Sequence, residues 1–130
     1  MKNTDHLYPD PLLVRISHWK GENAIYVLEN RQRMSTSKGW ITVPAGFLTD
    51  GLSIPAFAWP IVGPRAGRAF RSGILHDYLY SRESEKYGID RKGADKLFLE
   101  VMFNLGIGWF QRGAIYRAVR IFGDSTYKKR

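Results

Sequence analysis

A chain of 130 residues with 44% apolar content and 18 Trp, Tyr and Phe side chains can bury one core but not two, and its composition excludes an intrinsically disordered chain. The absence of cysteine excludes a disulfide framework, a thiolate zinc site and a cysteine nucleophile, and fits a reducing cytoplasm. The net charge of +8 is uneven: residues 1–64 carry six Lys/Arg against five Asp/Glu, whereas residues 65–130 carry fourteen against seven.

Residues 1–11 read as a loose lead-in with charges and two prolines, without the apolar run of a signal peptide. No window reaches the roughly 18 apolar residues needed to cross a bilayer. Three β-rich runs follow at 12–19, 24–34 and 39–44, separated by turn signals at Lys20-Gly21-Glu22-Asn23 and Ser35-Thr36-Ser37-Lys38-Gly39. They predict a small antiparallel meander. Residues 45–64 hold three glycines and three prolines among large apolar residues, which predicts a long packed loop with a short turn of helix after Pro55.

The remainder reads as three helices. The first spans 66–82. The second spans 91–105, with Asp90 as N-cap, Gly106 as C-cap, and Ala94, Leu97, Phe98, Val101, Met102 and Leu105 at helical spacing. The third spans 108–122, with Phe110, Ala114, Ala118 and Ile121 on one stripe, and Gly123 ends it. Strands first and helices after make an α+β fold in a single domain, 1–130, closed by a basic tail at 124–130.

Three segments carry side chains suited to chemistry. In GILHDYLY, His76 and Tyr80 stand one helical turn apart on the same face, and Asp77 lies about 100° around the helix from His76. An imidazole exchanges its proton near neutrality and also ligates metals, so His76 is a candidate base or metal ligand. In TDGLSIP, Asp50 either closes an Asx-type turn or supplies an oxygen to a metal, and Ser53 either caps a short helix or lines the same site, beside Thr49. Asp95 sits at the border of the second helix's apolar stripe. If the first two helices pack antiparallel, it reaches His76 and fixes its tautomer; the alternative is an ion pair with Arg91 one turn earlier.

The ordered motifs VPAGFLTDGLSIP, ILHDYLY, R-x-x-A-D-x-x-F (Arg91, Ala94, Asp95, Phe98) and Y-x-A-V-R-x-F-G (Tyr116 to Gly123) resemble the bacteriophage and prophage domain-of-unknown-function family 1353, over about residues 40–123. The resemblance implies a phage-encoded protein acting in a bacterial host or carried in a virion, and brings no activity with it. Its polar motif positions fall on Thr49, Asp50, Ser53, Pro55, His76, Asp77, Tyr80, Arg91 and Asp95. The spacing H-D-x-x-Y with a later helical Asp is also similar to the catalytic helix pair of secreted phospholipases A2. That resemblance implies His76 as activator of water, Asp77 as a calcium ligand, and Tyr80 and Asp95 as holders of the histidine. The disulfides of that family are absent, and its glycine-rich calcium loop is not recognisable.

These readings converge on a metal-assisted hydrolase site. Asp50 and Asp77, with or without His76, would bind Ca, Mg, Mn or Zn, while Asp95 and Tyr80 orient the histidine. The alternative is a non-enzymatic virion, assembly or host-takeover protein in which the same residues form a structural polar network. The basic C-terminal half reads as a solvated helix face, or as a surface that attracts nucleic acid, an anionic membrane or an acidic protein.

Overall fold

The structure is a computed structural model and describes residues 4–21, 23–50 and 69–123. The N-terminal half forms β1 (Val14–Lys20), β2 (Asn23–Leu28), β3 (Gln32–Thr36), β4 (Gly39–Val43) and β5 (Leu48–Thr49). The C-terminal half forms α1 (Phe70–Tyr80), a 3-10 helix (Arg82–Tyr87), α2 (Arg91–Asn104) and α3 (Trp109–Phe122). This is the expected α+β order of antiparallel strands followed by three helices.

The strands differ in detail from a three-stranded meander. The run at 24–34 breaks at Glu29–Arg31 into β2 and β3. β2 pairs antiparallel with β1 on one side and with β5 on the other, and β3 forms a separate hairpin with β4. The break is set by tertiary partners: Asn30 Nδ2 donates to the Pro11 carbonyl at 2.8 Å, and the Glu29 amide donates to Leu13 O at 2.8 Å. No glycine or proline marks the turn in the sequence. β5 falls inside the stretch expected as loop. The helical turn expected after Pro55 lies outside the described residues, as do the basic tail and the first residues of the first predicted helix.

Residues 4–11 are not a loose lead-in. Tyr8 is buried and accepts a hydrogen bond from Asn104 Nδ2 at 3.1 Å. Asp10 takes a two-pronged ion pair from Arg33, which holds its carboxyl down at about 2. Arg71 of α1 donates to the Asp10 carbonyl and to the buried amide of Gln32. The N-terminal segment, a turn at residues 4–8 followed by irregular backbone, is thereby stitched to β3 and α1.

α1 is the central element. Ile74, Leu75, Tyr78 and Leu79 are buried, and they join Leu28, Met34, Ile41 and Val43 from the strands, Phe47 from the turn before β5, and Ala94, Leu97 and Val101 from α2 in one cluster. A second cluster joins Phe98 and Met102 of α2 to Ile107 and Ile115. α2 starts as its sequence predicts: Asp90 accepts from the Gly93 amide at 2.7 Å. It ends with Gly106 at φ 83°, where Ile107 N bonds Met102 O and Gly106 N bonds Phe103 O. That pair of bonds is a Schellman stop, which needs a residue free to turn left-handed. α3 buries Ile115 and packs Val119 inward, whereas Phe110 and Ile121 face out. The stripe Phe110-Ala114-Ala118-Ile121 is therefore not the core face.

Candidate functional site

The antiparallel packing of α1 on α2 brings His76 and Asp95 together. His76 Nε2 lies 2.7 Å from Asp95 Oδ1. Tyr80, one turn after His76 on the same face, donates its hydroxyl to the same oxygen at 2.6 Å. The other oxygen, Oδ2, accepts from Arg120 Nη1 of α3 at 2.7 Å. Asp95 is fully buried, whereas the side chain of His76 keeps 14% exposure. The imidazole is held edge and face: its ring centroid lies 4.1 Å from that of Tyr80 and 4.5 Å from that of Phe98.

Burial pushes the Asp95 carboxyl up, but the hydrogen bonds from His76, Tyr80 and Arg120 outweigh burial and hold it below its ordinary value. It is thus an ionised carboxylate inside the protein, acceptor only. Nε2 of His76 is then the donor to Oδ1, and the neutral form of the ring with this tautomer presents its lone pair on Nδ1. Among the described residues, no hydrogen bond is made to Nδ1. The Tyr80 hydroxyl is pushed well above its usual value by burial and by the Asp95 carboxylate, so it serves as a fixed donor and not as an acid.

Arg91, the first residue of α2, does not pair with Asp95. Its Nη2 donates to the carbonyls of Val119 (3.0 Å) and Arg120 (2.6 Å), and its Nε approaches the Tyr80 hydroxyl at 3.3 Å. It fastens the last turn of α3 to the start of α2 and steadies the backbone from which Arg120 reaches Asp95. Gly123 lets α3 end against this point: a Cβ there would lie 2.7 Å from the Tyr80 hydroxyl.

Of the residues singled out from the sequence, the structure unites His76, Tyr80 and Asp95, with Arg91 behind them. Asp77 is half-buried on the adjoining face of α1. Thr49 is buried in β5 opposite Tyr26, and Asp50 follows it, half-buried. Ser53 and Pro55 lie outside the described residues. Among the described residues, no three His, Asp or Glu side chains stand close enough together to hold a metal ion. Sequence reading assigns Arg120 no role at the site and counts it only within the basic C-terminal half. The available signal was its place in Y-x-A-V-R-x-F-G, an arginine at a helix position between apolar residues.

All of the site but Arg120 lies inside a stretch, residues 26–119, that matches the family model described as protein of unknown function (DUF1353). The chain belongs to that family. The DUF1353 match takes in His76, Tyr80, Arg91 and Asp95 and stops one residue before Arg120. No curated protein and no solved structure matches the chain. None of the described helices is long and apolar enough to cross a membrane.

Proposed function

We propose that this DUF1353 protein is a hydrolase in which His76 is the general base. The observation that carries the reading is the 2.7 Å contact between His76 Nε2 and a buried carboxylate that is itself fully partnered. Nδ1 takes a proton from water as the water oxygen attacks an ester, amide or phosphoester. Asp95 stabilises the imidazolium that forms, and the same proton passes from Nδ1 to the leaving group. Tyr80 and Arg120 keep Asp95 ionised and in place. The order His76, Asp77, Tyr80 and Asp95, similar to the helix pair of phospholipases A2, supports the same division of roles.

In the metal-assisted form of this reading, Asp50 and Asp77 would supply oxygen to Ca, Mg or Mn, and a bound cation would add polarisation of the substrate; a three-ligand zinc site with His76 does not fit the spacing of these side chains. Thermal melting with each cation tests this form. A rise in wild type that Asp77→Asn lacks supports it, and no rise in wild type removes it. The resemblance to phage and prophage proteins supports a setting in a bacterial host or a virion.

The decisive test is hydrolysis of a panel of nitrophenyl acyl esters, phosphodiesters, peptides and phospholipids. His76→Gln should lower kcat by about 10²–10⁴-fold while the fold is retained. A wild-type protein with no turnover above buffer across the panel would sink the enzyme reading. The complete enclosure of Asp95 favours a second reading, in which the four side chains lock α1, α2 and α3 together in a non-enzymatic virion, assembly or host-takeover protein.

A further inference from the structure

The outward side of α3 is unusual for a helix at a protein surface. Trp109 is 77% exposed, Phe110 60% and Ile121 69%, and Phe103 at the end of α2 is 53% exposed. Gly113, Ala114 and Arg117 complete the outer face between Phe110 and Ile121, so nothing large and polar but an arginine interrupts it. Trp109 and Phe110 stand edge to face with ring centroids 5.9 Å apart, and the Arg112 guanidinium lies 4.9 Å from the Phe103 ring centroid. From Val101 to Gly123 there is no acidic residue, against three arginines, of which Arg120 is committed to Asp95. A surface helix ordinarily turns charged and polar residues of both signs outward; this one turns out aromatic and aliphatic side chains with cations alone.

We propose that the outer face of α3 and the α2–α3 turn dock on an anionic phospholipid surface. Bulky apolar side chains reach into the headgroup and acyl boundary, tryptophan favours that boundary, and arginines stay at the phosphates. Charge decides among occupants. A two-fold dimer would set the same patch against itself, cations against cations, with no acidic residue between Val101 and Gly123 to offset them. A nucleic-acid backbone would satisfy the arginines but leave Ile121 and Phe110 without apolar cover. An anionic bilayer meets both demands. Nothing in this placement uses the His76–Asp95 site.

The test is sedimentation of the full chain with vesicles of phosphatidylcholine alone and of phosphatidylcholine mixed with phosphatidylglycerol. Wild type should pellet with the anionic vesicles and not with the neutral ones, and added salt should weaken the binding. Phe110→Ser with Ile121→Ser should weaken partitioning at least about tenfold. Both side chains are already exposed, and an unchanged melting curve verifies that the variant folds. Arg117→Glu should weaken it as well, whereas His76→Gln should bind as wild type. Failure to pellet with anionic vesicles overturns the proposal. So does equal pelleting of the double Ser variant, or binding to duplex or single-stranded DNA that anionic vesicles do not displace.

Discussion

Asp95 has no solvent exposure, yet its two oxygens accept from an imidazole, a phenol and a guanidinium on three different turns of helix. Removing one partner of such a buried ionic group leaves the others uncompensated. Asp95→Ala should therefore lower unfolding free energy by about 3–5 kcal/mol in urea denaturation. The acid limb of stability carries the sign of its titration. The folded carboxyl lies below the unfolded value of about 3.9, so its contribution is complete above that value and drains away as pH falls through the folded one. Asp10, held down to about 2 by Arg33, adds to the same limb. Asp95→Asn should flatten part of the fall in urea midpoint below about pH 4, and a variant whose acid limb matched wild type would contradict the assignment. His76, Tyr80 and Asp95 are legible in the sequence because helical spacing alone puts the first two on one face. Arg120 is not, because an arginine's partner 25 residues back depends on how α3 crosses α2, which periodicity does not encode.

At the level of elements, α2 was the easiest to read. Its N-cap, apolar spacing and glycine stop all act within one turn of the residues that specify them. Asp90→Ala should cost about 1 kcal/mol by loss of the bond to the Gly93 amide, seen as a lower urea midpoint with unchanged slope. Elements governed by distant partners were harder. The β2–β3 break rests on Pro11 and Leu13, and β5 is only two residues paired to β2. α3 carries large apolar residues on every side, so its sequence does not say which side is inward; packing against Phe98 and Met102 chooses Ile115. The edge strand β1 is exposed along almost its whole length. It is guarded by Arg15 and Lys20 and by a bulge between Ile16 and His18, devices that discourage pairing with another edge.

Across the whole molecule, the N-terminal segment is joined to the far end of α2 through Tyr8 and Asn104 and to α1 through Arg71. Tyr8 is part of the core, and Leu7 packs against it. Deleting residues 1–8 should cost at least about 3 kcal/mol, comparable to truncating a buried aromatic. Tyr8→Phe, which keeps the ring and loses one hydrogen bond, should cost about 1 kcal/mol. Equal stability of the deletion and wild type in urea would contradict this account. The α+β order was visible from the run of β-rich segments before helical ones. The stitching was not, because charges and prolines near a terminus look the same whether they dangle or dock.

Arg120 reaches Asp95 from the last described helix. A polypeptide released before that arginine, by a premature stop or by proteolytic clipping within α3, would have every described strand and α1 and α2 but a carboxylate in its interior that has lost one partner. Such a fragment should be less stable than the full chain, so the bond that steadies the histidine also makes the packing of the two earlier helices depend on α3.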